Sequence, residues 1–188
     1  YGGLGLTMEE EAELMLVLGR AAPGYRAVYA LNSGGAAQIL LRAGTEAQKA
    51  HWLPGLACGE RIACFCLSEP EAGSDAASLT TTARRDGAGW RLDGRKRWAT
   101  NAPESGMLMV MARTGGEGAR GISAFAIDPA TPGVHVQPSQ AKMGMRGAQV
   151  ADIVFEDCRV PEEALVGAEG EGLKLALAGL DKVRLHLA

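Results

Sequence analysis

Residues 62–75 read Ile62-Ala63-Cys64-Phe65-Cys66-Leu67-Ser68-Glu69-Pro70-Glu71-Ala72-Gly73-Ser74-Asp75. The first six residues carry no charge and are mostly apolar, which at that length predicts a short buried strand. The strand end runs directly into a turn with hydroxyls at Ser68 and Ser74 and acidic groups, and Pro70 and Gly73 shape its backbone. Such a turn presents N–H and O–H donors at a sheet edge. The stretch also divides the chain, with helical signals before it and strand signals after it.

Upstream, Thr7-Met8-Glu9-Glu10 matches a capping box, in which the Thr hydroxyl accepts from a free first-turn N–H and the Glu reaches back. The Glu, Leu, Met and Ala that follow to about Arg20 favour helix. A second box, Thr45-Glu46-Ala47-Gln48, opens a helix through His51 and Trp52 that Pro54 is expected to disturb and Gly59 to end. Asn32-Ser33-Gly34-Gly35 reads as a loop, followed by a short apolar helix to about Leu41. Downstream, short strands are predicted at Trp90–Gly94, Met107–Ala112, Ile122–Ile127, Gly133–Val136 and Ile153–Phe155. Gly, Pro and Asp at near-regular intervals between them suggest a sandwich or small barrel. Thr114–Gly118 reads as a flexible connection. After Gly172, Leu173, Ala176, Leu177, Leu180, Val183 and Leu187 recur at spacings of three and four, one helical face that Leu175 and Leu185 widen. With a mid-chain loop at Tyr1–Gly5 and no stop signal at Ala188, the sequence reads as a piece of a larger protein.

Composition narrows the function. The 188 residues carry 19 Lys+Arg against 22 Asp+Glu, a net charge of −3. A mildly acidic, mixed-sign chain lacks the basic footprint of nucleic-acid binders. A hydrophobic fraction of 47% with 22% charged residues excludes disorder, and no run reaches the ~20 apolar residues of a membrane span. Gly numbers 26, about twice the usual ~7%, without a collagen period. His51, His135 and His186 do not pair at ligand spacing, so no metal site is expected. Cys64 and Cys66 share a strand face but lack Cys-x-x-Cys spacing, and with Cys58 and Cys158 they read as reduced thiols.

There is no phosphate loop of the G-x-x-x-x-G-K-[ST] type and no G-x-S-x-G elbow. Gly167-Ala168-Glu169-Gly170-Glu171-Gly172 precedes a helix, but its two carboxylates would repel an anion, so a helix-entry loop is the better reading. In Lys96-Arg97-Trp98-Ala99-Thr100-Asn101-Ala102, an indole two residues before a hydroxyl on a strand puts both on one face. An aromatic plane beside a donor suits a flat heterocycle. Taken alone, this stretch is more often a buried Trp with Thr as strand filler, and the turn at 68–75 more often an ordinary Ser/Asp-rich turn.

Together with five further segments, these two stretches resemble the acyl-CoA dehydrogenase flavoproteins over essentially the whole chain. Tyr1–Gly5 resembles the loop before that family's central helices. Arg42–Lys49 with Leu53–Glu60 resembles its G-T-E-x-Q-K…L-P-x-L-A-x-G-E run, and Leu67–Asp75 its T-E-P-x-A-G-S-D signature. Lys96–Ala102 resembles K-x-W-I-T-N-A; Lys142–Gly147 with Val154–Pro161 resembles K-x-G-x-R-G…V-F-E-D-x-x-V-P.

The resemblance implies an α+β multi-domain fold: residues 1–61 as part of a helical N-terminal domain, 62–165 as a middle antiparallel β-barrel or sandwich, and 166–188 as the start of a C-terminal helical bundle. It implies FAD between the β-domain and that bundle, in a homo-oligomer (a tetramer or dimer). The implied reaction is α,β-dehydrogenation of an acyl-CoA thioester: a Glu takes the α-proton, a hydride leaves the β-carbon for the flavin, and an electron-transfer flavoprotein receives the electrons. A related acyl-CoA oxidase and a non-catalytic scaffold of the same fold are the rival readings. The implied compartment is the cytoplasm for a bacterial protein, the preferred reading, and the mitochondrial matrix for a eukaryotic one.

Residue by residue, Phe65, Leu67 and Ser68 would lie along the flavin edge, Trp98 over one flavin face, and Thr100 near N5. Ser74 would meet the FAD pyrophosphate and the CoA side. Leu180-Asp181-Lys182-Val183-Arg184 resembles L-D-x-x-R, in which Asp181 and Arg184 would approach the acyl-CoA. An i,i+3 surface ion pair is the plainer reading of those two residues. Ser68 stands for the commoner Thr, Ala99 for Ile and Phe65 for Tyr. Val183 stands where the isovaleryl-CoA branch carries its catalytic Glu. No carboxylate here matches a base motif, so the base is expected downstream and these 188 residues alone are expected to be inactive.

Overall fold

Both capping boxes form. Thr7 Oγ1 accepts the Glu10 amide while the Glu10 carboxylate takes the Thr7 amide, opening α1 (Met8–Ala21); Thr45 and Gln48 repeat the exchange at α4 (Glu46–Cys58). The computed structural model describes residues 1–187. Ala188 and the side chains of Lys182, Leu185, His186 and Leu187 lie outside the described set. Pro54 does not interrupt α4: Pro54 and Ala50, whose carbonyl loses its i+4 donor, are both exposed, so water can satisfy that oxygen. Gly59 ends the helix at φ 81° as expected.

The expected loop at Asn32–Gly35 is instead helix. α2 (Pro23–Ala30), a π-helical turn (Leu31–Ala36) and α3 (Ala37–Ala43) run on without a break. The Gly pair serves close packing rather than a turn. A Cβ on Gly34 would meet Val183 at 2.8 Å, and one on Gly179 would lie 3.2 Å from the Gly35 carbonyl. Asn32 uses the widened turn to reach outward, donating to the Leu56 and Arg61 carbonyls at 3.4 and 3.1 Å and accepting the Ala63 amide at 2.7 Å. That last bond docks the first strand onto the helices.

The strands are β1 (Ala63–Cys66), β2 (Thr82–Asp86), β3 (Gly89–Thr100), β4 (Met107–Arg113), β5 (Ile122–Ile127), β6 (Val134–Val136), β7 (Val150–Pro161) and β8 (Leu165–Val166). They form one sheet in the order β6-β7-β3-β2-β4-β5-β8, with β1 also on β4. Most neighbours are antiparallel, but β1 and β2 each run parallel to β4, so the sheet is mixed rather than purely antiparallel. The reason is the path: the β2–β3 hairpin intervenes between β1 and β4, and the chain re-enters beside β1 in the same direction.

The sheet is a folded sandwich and not a closed barrel. Every residue of β4 from Met107 to Ala112 is buried. Met107, Met109 and Met111 pack with Ile39, Leu40, Trp52 and Leu173 on the helical side. Leu108, Val110 and Ala112 face Trp90, Leu92, Ile153 and Phe155 of the β3–β7 layer. β2 and β8 escape sequence reading: β2 is Thr-Ala-Arg-Arg-Asp with only Ala83 buried, and β8 is two residues long. The connection after Thr114 is not loose either, because Arg113 donates to the Ala77, Leu79, Gly116 and Gly118 carbonyls. α5 (Gly172–Leu187) packs on the π-turn and β5, burying Leu173, Ala176 and Val183, whereas Leu177 is exposed.

Candidate functional site

The turn after β1 is fixed from several directions. Within it, the Glu69 amide donates to the Ala72 carbonyl at 2.9 Å and the Ala72 amide returns a bond at 3.3 Å. From β3, the Arg97 amide donates to the Ser68 carbonyl at 2.8 Å. The Lys96 ammonium, fully buried, donates to the Leu67 carbonyl at 3.2 Å and to Glu69 Oε1 at 2.7 Å. The Glu69 carboxylate also accepts the Thr80 amide at 2.6 Å, the Thr80 hydroxyl at 2.8 Å and the Thr81 amide at 3.0 Å.

These groups carry opposite, compensated charges. Burial alone would raise the Glu69 pKa, but the facing Lys96 ammonium and the Thr81 and Thr80 donors outweigh it and bring it down to about 2. Burial pushes Lys96 below its ordinary value, and Glu69 pulls it back up. The Glu69 carboxylate is therefore ionised at neutral pH.

Opposite the turn, β3 bulges. Its register on β7 slips between Lys96↔Ile153 and Ala99↔Ala151, leaving Arg97 and Trp98 opposite Asp152. Trp98 sits at φ 55°, a left-handed conformation that is costly for a bulky residue. Asp152 holds the bulge: Oδ1 accepts the Trp98 amide at 3.3 Å and Gln140 Nε2 at 3.0 Å, while Oδ2 takes Arg95 Nε and Nη2 at 3.1 and 2.7 Å. Asn101, at φ 67°, closes the strand and donates from its side chain to the Ala63 carbonyl at 3.3 Å.

Trp98 is 56% exposed, so it is not the buried core Trp of the plainer reading. Ala99 is buried and Thr100 half-buried, which leaves Trp98 and Thr100 on the same, more open side. The Arg97 guanidinium lies 5.0 Å from the indole centroid, and its buried Nε has no partner. Ser68, Ser74 and Thr100 form no side-chain hydrogen bond among the described residues, although Ser68 and Thr100 are only half-open to solvent. Phe65 and Leu67 pack against the helix-facing core, so their backbone is what they offer at the sheet edge.

The structure therefore sets Leu67 and Ser68 beside the Trp98 bulge, with Thr100 two residues further along β3, next to the Asn101 that bonds Ala63, and Ser74 further round the exposed turn. Asp181 and Arg184 are exposed on α5, and no ion pair joins them. Two open clefts, of about 420 Å³ around Lys142 and Arg146 and about 340 Å³ around Gln48 and His51, are not lined by any of these residues. Among the described residues, no cluster of His, Cys, Asp and Glu could hold a metal, and no helix is long and apolar enough to cross a membrane. Sequence reasoning gave no role to Lys96, Glu69, Arg97 or Asp152. A Lys two residues before the exposed Trp, and an Asp inside the apolar run Ala151–Phe155, were the available signals.

An exposed indole on a strained bulge, unpaired hydroxyls and an unpaired guanidinium N–H fit a flat heteroaromatic ligand with polar edges. The protein class defined is a helical layer docked on a folded β-sandwich, with such a platform at the seam between the β1 turn and β3. Comparison with known families agrees: residues 1–60 match the acyl-CoA dehydrogenase N-terminal domain and residues 64–158 its middle domain. The chain belongs to the acyl-CoA dehydrogenase family. It is 37% identical over its whole length to the human (Homo sapiens) mitochondrial short-chain specific acyl-CoA dehydrogenase, of which it covers 46%. A chain from the structural study of the electron transferring flavoprotein of Acidaminococcus fermentans superposes with TM-score 0.96 at 36% identity, over 100% of this chain and 50% of that one. Glutaryl-CoA dehydrogenase of Mycobacterium smegmatis in complex with FADH2 gives TM-score 0.90 at 32% identity, over 97% and 46%. The chain thus spans about half the length of the relatives it matches.

Proposed function

We propose that the chain is the N-terminal and middle part of an FAD-dependent acyl-CoA dehydrogenase that oxidises the α,β-bond of an acyl-CoA thioester and passes electrons to an electron-transfer flavoprotein. In this reading residues 1–61 belong to the helical N-terminal domain, 62–165 form the middle domain, and 166–188 begin the C-terminal bundle. The observation that carries it is the convergence of two segments distant in sequence: the Arg97 amide on the Ser68 carbonyl joins a hydroxyl-bearing turn to a displayed indole.

When bound, FAD supplies a two-electron acceptor for the hydrogen leaving the β-carbon. Trp98 offers it a plane to stack on. The Ser68 and Thr100 hydroxyls and the backbone of Phe65, Leu67 and Ser68 offer donors along one edge, where fixed dipoles in a dry site stabilise developing negative charge. Ser74 is assigned to the pyrophosphate and CoA side, and Asp181 and Arg184 to the acyl-CoA. The base that takes the α-proton, a Glu in this family, is assigned outside these residues. The relatives support the substrate class, the FADH2-bound glutaryl-CoA dehydrogenase supports the cofactor, and the Acidaminococcus likeness supports the electron acceptor. A homo-oligomer in the bacterial cytoplasm or the mitochondrial matrix completes the proposal.

The test is anaerobic spectroscopy of the complete protein with acyl-CoAs of several lengths. The flavin band is expected to bleach and to recover on adding oxidised electron-transfer flavoprotein. Rapid recovery with oxygen instead would make the protein an oxidase, and a colourless preparation that takes up no FAD would overturn the assignment.

A further inference from the structure

We propose that the buried Lys96–Glu69 pair is a positioning device that fixes the Leu67–Ser68 backbone relative to Trp98. It rests on the reading that both segments face FAD.

The pair is an unusual choice for this place. Taking two charges out of water is costly, and a well-packed apolar pair of similar volume is often as stable or more so. Stability alone therefore gives no reason for a Lys with no exposed side-chain surface and a Glu with 2%. What an apolar pair cannot do is hold a carbonyl oxygen at a fixed place. The Lys96 ammonium bonds the Leu67 carbonyl at 3.2 Å, and its own main chain lies two residues before Trp98. Its charge cannot swing away, because Glu69 is pinned by the Thr80 and Thr81 amides. The next residue adds a second tie, from the Arg97 amide to the Ser68 carbonyl. The bulge that displays Trp98 and the turn that displays Ser68 are thus fastened through neighbouring residues of one strand. A shift at residue 96 would move both. Lys96 and Glu69 touch neither ligand nor reacting atoms in this account; they act through Leu67 and Ser68.

The experiment uses the complete protein and three variants: the double Glu69→Gln/Lys96→Met, the single Lys96→Arg, and Trp98→Leu. Thermal unfolding of the apo-protein, FAD affinity by flavin fluorescence, and the visible circular dichroism of bound flavin are measured for each. The double variant leaves no buried charge unpaired and is expected to unfold within a few degrees of wild type. Its FAD affinity is expected to fall at least tenfold, with an altered flavin dichroism band. Unchanged affinity and dichroism in the folded double variant would overturn the positioning role. If the double variant fails to fold, Lys96→Arg decides. Its charge is retained but its planar fork cannot reproduce both bonds, so an altered dichroism band supports the proposal and an unaltered one overturns it. Trp98→Leu checks the underlying reading. If it leaves FAD binding and dichroism untouched, the site assignment fails and the proposal with it. If it weakens FAD binding while the decisive Lys96 variant does not, only the positioning role fails.

Discussion

Replacing Trp98 by Gly and by Ala tests the left-handed bulge directly, because the two variants share every loss except one. Both remove the indole. A little under half of it is covered, and of the ~150–250 Å² a Trp buries when enclosed that is roughly 65–110 Å². At ~25 cal/mol per Å² each variant loses about 2 kcal/mol of apolar burial. The backbone then separates them. In an ordinary strand Ala is more stable than Gly by about 0.5–1 kcal/mol, because Gly loses more conformational entropy on folding. At φ 55° an L-residue pays a steric penalty of about 1–2 kcal/mol that Gly does not. The order should therefore invert, with Trp98→Gly more stable than Trp98→Ala by about 0.5–1 kcal/mol. Urea unfolding of the apo-protein, followed by far-ultraviolet circular dichroism, reads this difference with paired midpoints and slopes. FAD affinity should fall alike in both variants, since neither retains the ring. An Ala variant as stable as the Gly variant, or more so, would show that residue 98 is not held left-handed in solution, and the geometric basis of the platform would be lost.

Three other outcomes follow from the same geometry. Glu69 titrates near 2 when folded against an ordinary 4.5, so its contribution is present above about pH 4.5 and lost as pH falls toward 2. It should amount to roughly 3 kcal/mol, and acid unfolding of Glu69→Gln should lack that part of the slope; an identical acid profile would refute it. Thr100→Val should slow anaerobic flavin bleaching by up to about 100-fold while changing acyl-CoA binding little, as expected of a donor that acts mainly as charge moves; unchanged kinetics remove Thr100 from the chemistry. Burial, with Asp93 and Asp157 nearby, pushes the Cys158 thiol up to about 11, and the Cys66 contact and burial raise Cys64 well above its usual value. Of the free cysteines only Cys58 is exposed, so one thiol should react quickly under native conditions and all should react in denaturant. Rapid modification of a second would contradict the packing.

Elements written in local chemistry were legible. Capping boxes at Thr7 and Thr45 encode their own hydrogen bonds, and the apolar runs of β4 and β5 leave no polar face for another assignment. Elements decided by distant partners were not. Gly34 and Gly35 look like a turn until α5 is laid against them, when the missing side chains become the space that Val183 and Gly179 occupy. β2 looks like a loop until β3 pairs with it. The site was half legible. Ser68, Trp98 and Thr100 carry groups whose chemistry can be read from their type. Asp152 and Lys96 act by holding main-chain atoms in place, a role that residue type does not reveal.

Three broken local rules coincide in space, and that is the firmest ground for reading the seam as functional. A Trp takes a left-handed backbone, a Lys is buried to its last atom, and an Arg N–H is buried without a partner. Each violates what propensity or desolvation would choose. Lys96, Arg97, Trp98 and Thr100 fall within five consecutive positions, and Ser68 faces them across one hydrogen bond. Beside them β4 and β5 are regular, wholly buried between two apolar layers, while Asp157 and Met145, also left-handed, and the unpartnered Trp90 Nε1 lie apart from the cluster. Strain concentrated beside regular packing is what a binding platform requires, since the regular part supplies the stability that the irregular part lacks. At the seam the irregular residues are held in place by Asp152, Glu69 and two main-chain amides, which is a large number of specific bonds to spend on a conformation that packing alone would reject.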